Sequence, residues 1–352
     1  MPEFSKVIVK VGSNVLTTDD GLLNVKAILS IVSQLVKLHQ RGVKVILVSS
    51  GAVASGRELL ALQHEEDSIS RRQILASLGQ AKLMHEYYTA FSTYGINCSQ
   101  VLVSREDFRD RKHYKNMQNC LSALWRNDII PIVNENDVVS ITELMFTDND
   151  QLAGMLTSMT SSKALILLTN VDGVYDKNPS DATARVIQKL QCDEELTIKE
   201  STSSLGRGGM KAKLKTAQTV ASMGAEVFIT NGYKEDSIVS VFSDDFYGTH
   251  VFSGKQESDD VRWLVHTEPI TISSIEVDEL TVESLLTEGK MNLYSNQIVT
   301  VNESFEVEDI VKIVDAKGNR LGIGMASLAS DELFPASNKL VIDSDFLYLN
   351  RV

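Results

Sequence analysis

Two lysines of this chain lie beside glycines, where an apolar run ends or a helical pattern begins. Lys10 stands near the end of the run KVIVKV and is followed by Gly12, and Lys213 lies one turn inside the helical pattern that GRGG opens. A lysine ammonium is a compact positive charge, and glycine lets backbone N–H groups approach an oxyanion closely. The pattern indicates phosphate binding, although a lysine at a strand end also suits a solvated surface and a glycine cluster a flexible loop.

Amides and carboxylates are concentrated in two further segments. NEND, at 134–137, follows the apolar run IIPIV, and DND, at 148–150, precedes the helical pattern QLAGMLTSM. Acids and amides together suit a substrate ammonium group, although an Asx-rich turn has the same composition. One residue of DND is expected to cap the helix, and a second carboxylate in the same turn could bind Mg²⁺ or orient lysines.

The segment SSGAVASGR, at 49–57, connects the run VKVILV to another helical pattern. Gly51 and Gly56 have the spacing of a P-loop, but Arg57 and Glu58 stand where that loop requires lysine and serine or threonine. The segment is therefore not a P-loop. Its serines either cap the next helix or, together with the helix N-terminus, hold an anion or a carboxylate.

The elements that must position these residues are short apolar runs that alternate with amphipathic stretches up to about residue 255. Runs that are apolar on both faces are typical of parallel strands covered on both sides. The alternation predicts right-handed βαβ units and an α/β fold, a doubly wound, mainly parallel sheet sandwiched by helices. Ligands bind such sheets at the carboxyl ends of the strands. The predicted strands are 6–11, 43–48, 99–103, 129–133, 164–168 and 226–230, and the predicted helices are 24–41, 71–91, 116–126, 150–160 and 208–223.

The pattern changes in the last quarter of the chain. The stretch FSGKQESDD is polar, and the residues that follow 271 form short alternating runs separated by turns, with almost no long helical pattern. We predict a first domain over 1–255, a linker over 256–270 and a small all-β domain over 271–352.

Composition excludes several classes of function. The formal charge is -13, from 34 Lys and Arg against 47 Asp and Glu, so a general affinity for nucleic acid or for an anionic membrane is not expected. The six histidines show no metal-ligand spacing, and no apolar run is long enough to cross a membrane. Three widely spaced cysteines and an N-terminus without an export pattern predict a cytoplasmic protein.

Several of these segments occur in the order found in a known family. On the motifs VKVGSNVL, VSSGAVASGR, PIVNENDVV, TDNDQLAG, LLTNVDGVY and GRGGMKAKL, and on GQ within ASLGQAKL, the chain resembles the amino acid kinase family over essentially its whole length. NEND, DND and GGMxxK together resemble the branch that uses ATP to phosphorylate the side-chain carboxylate of L-glutamate, the first step of proline biosynthesis. The resemblance implies ATP and Mg²⁺ as cofactors.

The resemblance also implies a role for each motif residue. Lys10 and Lys213 would stabilise the transferring phosphoryl group, and Asp150 would hold the two lysines in place. Asp148 would be linked to Mg²⁺. Glutamate would contact Ser50, Asn134, Asp137 and Asn149, and ATP would lie along Lys10, Gly12, Thr169, Asn170, Arg207, Gly208, Gly209, Met210, Lys211, Ala212 and Lys213.

The C-terminal region resembles a PUA domain, mainly through Val311–Leu333. PUA domains elsewhere bind RNA, but Ile275–Val352 carries 14 acidic and 6 basic side chains, which favours a structural or regulatory role. The alternatives to a glutamate kinase are a related kinase acting on aspartate or acetylglutamate, and a non-catalytic RNA-binding or regulatory protein. The family resemblance further implies feedback inhibition by proline, a homo-oligomer (dimer or tetramer) and transient contact with a separate glutamyl phosphate reductase.

Overall fold

The computed structural model of the chain describes residues 4–60, 67–139, 146, 148–179, 181–194, 196, 209–252, 264–265, 271–334 and 338–349. It divides into two compact units. The first comprises Met1–Ser104 and Gln118–Gln256, and the second comprises Arg105–Met117 and Glu257–Val352. The predicted linker 256–270 lies, apart from residues 264 and 265, outside the described residues, and the predicted domain limits stay predictions.

An eight-stranded sheet forms the centre of the first unit, in the order β3-β4-β2-β1-β5-β7-β8-β6. Neighbouring strands are parallel except for the pair β7 and β8, so β8 and β6 run against the rest. The strands are β1 Lys6–Val11, β2 Lys44–Ser49, β3 Cys98–Val103, β4 Ile130–Glu135, β5 Ala164–Thr169, β6 Lys189–Gln191, β7 Glu226–Asn231 and β8 Thr249–Phe252.

Helices follow most of these strands. They are α1 Ser13–Leu16, α2 Val25–Gln40, α3 Ala52–Leu59, α4 Ser68–Ser92, α5 Glu106–Arg109, α6 Arg111–Arg126, α7 Asn149–Met159 and α8 Met210–Ser222, with a 3₁₀ turn at Val239–Phe242. The α5 helix belongs to the second unit, and the division between the units falls within α6. Every helix in the described part of the chain is too short or too polar to cross a membrane.

The predicted α/β fold with a mainly parallel sheet is confirmed. Each of the six predicted strands is present within one or two residues of its predicted bounds. Their runs are buried almost throughout in β1, β2, β4 and β5, as expected of strands covered on both faces. The short strands β6 and β8, three and four residues long, were not predicted.

Helices α3 and α4 cross in close contact because glycines stand at the crossing. A Cβ atom on Gly56 would lie 1.9 Å from the backbone oxygen of Leu75, and one on Gly79 would lie 1.8 Å from the backbone oxygen of Ala52. Only glycine permits this approach of the two backbones. The crossing brings the inner face of α4 close to the segment that follows β2.

The second unit contains a six-stranded sheet in the order β10-β14-β13-β12-β9-β11. Its core is formed by buried aliphatic side chains such as Ile275, Val311 and Leu347. The predicted β character is confirmed, but one helix, α9, was not predicted; it begins after Asp278, whose side chain accepts a hydrogen bond from the N–H of Thr281 at 2.7 Å. The elements are β9 Ser274–Val277, α9 Glu279–Thr287, β10 Leu293–Tyr294, β11 Ile298–Asn302, β12 Ile310–Val314, β13 Arg320–Ala326 and β14 Leu340–Leu349, with 3₁₀ turns at Ser295–Gln297 and Ser330–Glu332.

Candidate active site

A cavity of about 400 Å³ opens in the first unit at the carboxyl ends of β1, β2, β4 and β5. Its position is the one expected for a ligand site in a doubly wound sheet. Ten residues predicted from the sequence line it: Lys10, Gly12, Ser50, Asn134, Asp137, Asp148, Asn149, Asp150, Thr169 and Lys213.

A carboxylate held between two ammonium groups lies at the buried end of this cavity. The Nζ atom of Lys10 is 2.7 Å from Oδ1 of Asp150, and the Nζ atom of Lys213 is 2.6 Å from Oδ2. All three side chains are buried, with at most 8% of any one exposed. Lys10 comes from β1, Asp150 from the first turn of α7 and Lys213 from the first turn of α8. The shared carboxylate therefore holds both ammonium groups in place at the buried end of the cavity.

The electrostatics of this cluster leave it with an excess of positive charge. Burial acts to raise the pKa of Asp150, but the charges and hydrogen bonds of Lys10 and Lys213 outweigh it and hold that pKa well below its usual range. Burial lowers the pKa of Lys213, and the charge of Lys10 lowers it further; these two effects outweigh the opposing effects of Asp150 and Asp148. Two ammonium groups on one carboxylate suit an anion that gains charge during a reaction.

The side-chain amide of Asn149 connects the ends of β2 and β4. Its Nδ2 atom lies 3.0 Å from Oγ of Ser50, 3.0 Å from Oδ1 of Asn134 and 3.3 Å from the backbone oxygen of Ser49. The predicted substrate-binding residues Ser50, Asn134 and Asn149 therefore form one hydrogen-bonded group.

Asp137, the fourth predicted substrate-binding residue, is neutralised by an arginine that was not predicted. The guanidinium of Arg72, on α4, pairs with the carboxylate of Asp137 and donates to Oε2 of Glu135 at 3.0 Å. Oε1 of Glu135 accepts a hydrogen bond from the N–H of Phe146 at 2.8 Å. Both carboxylates are buried, so Arg72 supplies a positive charge that they share.

Asp148 begins the helix that carries Asn149 and Asp150. Its Oδ1 atom accepts hydrogen bonds from the N–H groups of Asp150 and Gln151, each at 3.0 Å, which is the predicted capping role. Burial and the charge of Asp150 raise the pKa of Asp148. Its Oδ2 atom is buried and has no hydrogen-bond partner among the described residues.

This oxygen tests whether the site fits Mg²⁺. The described residues contain no cluster of three or more acidic, histidine or cysteine side chains that could hold a metal alone. Mg²⁺ in kinases is commonly held by one or two carboxylates together with the phosphates of the nucleotide. A single carboxylate with one free oxygen, as in Asp148, fits that mode.

The residues predicted to lie along ATP are only partly brought together. Thr169 lines the cavity, whereas Asn170 is exposed beside it. Gly209 caps α8, and Met210, Lys211 and Ala212 form its first turn without lining the cavity. Arg207 and Gly208 lie outside the described residues.

Sequence reasoning assigned no role in the site to the residues that α4 contributes, although Gly79-Gln80 is one of the motifs that carry the family resemblance. Arg72, Gln80 and Tyr87 lie on the face of α4 that carries the buried Ala76 and Leu83, and each binds a strand-end residue. Gln80 accepts a hydrogen bond from Nδ2 of Asn134 at 3.0 Å, and the hydroxyl of Tyr87 lies 2.8 Å from that of Ser49. The available signal was a set of polar groups on the apolar face of a predicted helix.

Comparison with known sequences identifies the class of protein to which this fold and this site belong. The model of the amino acid kinase family matches residues 5–231, and that of the PUA domain matches residues 273–348. The chain belongs to the amino acid kinase family.

Two individual relatives show which enzyme of this family the chain is similar to. Glutamate 5-kinase of Bacteroides thetaiotaomicron is 40% identical over 99% of this chain and 99% of its own, and glutamate 5-kinase of Chlorobaculum tepidum is 37% identical over 99% and 98%. Among solved structures, an isopentenyl phosphate kinase in complex with substrate superposes with a TM-score of 0.53 at 17% identity, over 70% of this chain and 100% of its own. At this identity the structural likeness concerns the fold alone.

Proposed function

We propose that the chain transfers the γ-phosphoryl group of ATP to the side-chain carboxylate of L-glutamate, giving L-glutamyl 5-phosphate and ADP in the first step of proline biosynthesis. The observation that carries the proposal is the pair of buried ammonium groups on Asp150, placed in one cavity with amides and a carboxylate suited to an amino acid. The full-length similarity to glutamate 5-kinases supports this choice of substrate.

The reaction requires little covalent help from the protein. An oxygen of the glutamate side-chain carboxylate attacks the γ-phosphorus in line, the bond between that phosphorus and the β–γ bridging oxygen breaks, and its electron pair stays on ADP. The carboxylate is already ionised, so no general base is needed. Both reactants are anions, and the principal task of the site is to supply positive charge.

Lys10 and Lys213 meet this requirement. Their ammonium groups neutralise charge on the oxygens of the transferring group, and Asp150 holds them in position while cancelling only one of the two charges. Gly12 leaves room for a phosphate oxygen near Lys10, since a Cβ atom at this position would lie 3.4 Å from Nζ.

The hydrogen-bonded group of Ser50, Asn134 and Asn149 binds the amino acid end of the substrate. Ser50 and Asn134 offer hydroxyl and amide groups from adjacent strand ends, and Asn149 offers an amide from the start of α7. Asp137 offers a carboxylate to the substrate ammonium. Thr169, Asn170 and the start of α8 would contact the nucleotide, and so would Arg207 and Gly208, which lie outside the described residues.

Asp148 would hold Mg²⁺ together with the phosphates of ATP. The ion would supply further positive charge to the phosphates.

The proposal extends to a cytoplasmic location, assembly as a dimer or tetramer, feedback inhibition by proline and delivery of the labile acyl phosphate to a separate glutamyl phosphate reductase. The location rests on the sequence composition, the other points rest on the family resemblance, and each is tested separately. Sedimentation gives the assembly state, and a proline titration of the initial rate tests the inhibition.

Trapping of acyl phosphate with hydroxylamine tests the substrate. Purified protein is incubated with Mg-ATP, hydroxylamine and, in turn, L-glutamate, L-aspartate and N-acetyl-L-glutamate. We expect hydroxamate with glutamate at a kcat/KM at least about a hundredfold above the other acids. A preference for another acid would overturn the choice of substrate, and salt-sensitive RNA binding without any ATP turnover would overturn the enzymatic proposal.

A further inference from the structure

Gln80 is a buried amide outside the motifs that contact the proposed substrates. It lies on the inner face of α4 with 8% of its surface exposed, and its Oε1 atom accepts a hydrogen bond from Nδ2 of Asn134 at 3.0 Å. Its own Nε2 atom is buried and has no partner among the described residues. Gln80 therefore uses only its acceptor.

The direction of this hydrogen bond is fixed by the backbone. The N–H of Glu135 donates to the side chain of Asn134 at 2.9 Å, and a backbone N–H can only donate. The atom of Asn134 that faces it must be Oδ1, so Nδ2 points towards Gln80. An amide at position 80 must in turn present its oxygen.

The same logic orients Asn149. Its Nδ2 atom faces the backbone oxygen of Ser49 at 3.3 Å and Oδ1 of Asn134 at 3.0 Å, two groups that can only accept. The Oδ1 atom of Asn149 accepts no hydrogen bond from any described residue, and Asn149 lines the cavity. The relay Gln80–Asn134–Asn149 thus leaves an acceptor for a ligand.

We infer that Gln80 is a positioning residue that sets the preference of the site for a substrate with an ammonium group. The inference rests on the proposed function. Both carboxylates of glutamate can only accept hydrogen bonds, and its α-ammonium is its only donor. An oxygen held outwards on Asn149 meets that ammonium, whereas an outward NH₂ group would not.

Loss of the acceptor at position 80 disrupts this relay. Nδ2 of Asn134 would be buried without a partner, which favours other rotamers of Asn134. Asn149 would then lose the acceptor at 3.0 Å and keep the weaker contact with the backbone oxygen of Ser49 at 3.3 Å, so its orientation would be less firmly held. The phosphate side of the site, with Lys10, Asp150 and Lys213, makes no contact with Gln80 in the described hydrogen bonds and ion pairs. The effect is therefore expected on glutamate and not on ATP.

Steady-state kinetics of Gln80→Met and Gln80→Glu, in the full chain, test the inference. Methionine has nearly the size of glutamine and no strong acceptor, and we expect the KM for glutamate to rise about tenfold or more, as for a lost hydrogen bond to a charged group, while the KM for ATP changes less than twofold. Glutamate as a replacement keeps an oxygen at the acceptor position but adds a buried carboxylate, so the KM of Gln80→Glu for glutamate is expected to rise less than that of Gln80→Met.

Glutarate, which lacks the ammonium group, provides the second readout. We expect its inhibition constant against glutamate to be the same in the wild type and in Gln80→Met. Equal losses for glutamate, glutarate and ATP, or no rescue by Gln80→Glu, would overturn the inference in favour of a purely structural role. If Gln80→Met does not fold, Gln80→Asn, which draws the amide back by one carbon, is expected to raise the KM for glutamate in the same selective way.

Failure of the inference is distinguishable from failure of the proposed function. A wild-type protein that forms no glutamyl hydroxamate contradicts the proposed function. An active wild type together with an unchanged KM for glutamate in Gln80→Met contradicts only the role of Gln80.

Discussion

Lys10 and Lys213 are bound to the two oxygens of a single carboxylate, at 2.7 and 2.6 Å from Asp150. One lysine comes from the first strand and the other from α8, so the carboxylate joins distant parts of the chain at the point where charge is needed. Asp150 cancels only one of the two positive charges, so the cluster is electropositive. Because both lysines are bound to the same carboxylate, their positions are also fixed. These two properties are what phosphoryl transfer between two anions requires.

Asp150→Asn leaves both positive charges in the site but removes the charge that holds them in place. The amide keeps the size of the side chain, and we expect kcat to fall about a hundredfold or more. Loss of the partner of buried ammonium groups also lowers the free energy of unfolding by about 3 kcal/mol. Initial rates and urea unfolding measure the two effects. Asp244→Asn, at an exposed position, is the control, and equal kcat in both variants would contradict the role of Asp150.

The lowered pKa of Lys213 predicts where activity falls on the alkaline side of the pH profile. Burial lowers its pKa below that of an exposed lysine, about 10.4, so the free protein loses this positive charge at a lower pH than usual. We expect kcat/KM for ATP to fall as the pH rises through that lowered pKa. Bound phosphates favour the charged form, and the limb in kcat is expected at higher pH than the limb in kcat/KM.

The matched control for this profile is Lys215→Ala. Lys215 is exposed on the same helix, and its removal is expected to leave the alkaline limb where it is. Coincident limbs in kcat and kcat/KM, both at the pKa of an ordinary lysine, would show that Lys213 is not the group that titrates.

Gly79→Ala tests the crossing of α3 and α4. The new methyl group would lie 1.8 Å from the backbone oxygen of Ala52, and the helices must separate. We expect a loss of about 2 kcal/mol or more in the free energy of unfolding, and a higher KM for glutamate because α4 supports its binding residues. Ser77→Ala, an exposed substitution on the same helix, is expected to have little effect on either quantity. Wild-type stability of Gly79→Ala would contradict the described contact.

The apolar runs and the motifs at their ends could be read from the sequence because they are local. A strand covered on both faces must be apolar throughout, as in KVIVKV, and parallel strands bring their carboxyl ends to one edge. Lys10, Ser50 and Asn134 could therefore be expected near one another although their neighbours in sequence say nothing about distance.

The contributions of α4 could not be read in the same way. Periodicity indicates which face of a helix is buried, but not which residue it meets. Arg72 binds Glu135 and Gln80 binds Asn134, pairs that only the tertiary fold brings together. The strands β6 and β8 are too short for a periodic signal. The helical pattern of α9 is weakened by the β-branched residues Thr281, Val282 and Thr287.

Arg72→Met tests one of these unforeseen contacts. Asp137 and Glu135 are buried and share the charge of Arg72, so its removal is expected to lower the free energy of unfolding by about 3 kcal/mol and to raise the KM for glutamate. Urea unfolding is compared with that of Arg71→Met, an exposed neighbour on the same helix. Equal stability of the two variants would mean that the shared charge contributes nothing measurable.

The transfer of an oxygen atom from glutamate to phosphate tests the proposed reaction most directly. Wild-type protein is given Mg-ATP and L-glutamate labelled with ¹⁸O in both side-chain carboxylate oxygens, the product is trapped with hydroxylamine, and the released phosphate is analysed by mass spectrometry. Hydroxylamine attacks the acyl carbon, so the oxygen that attacked phosphorus leaves with the phosphate. We expect glutamyl hydroxamate together with one ¹⁸O atom in the phosphate formed with it. Phosphate without the label would contradict attack by the glutamate carboxylate.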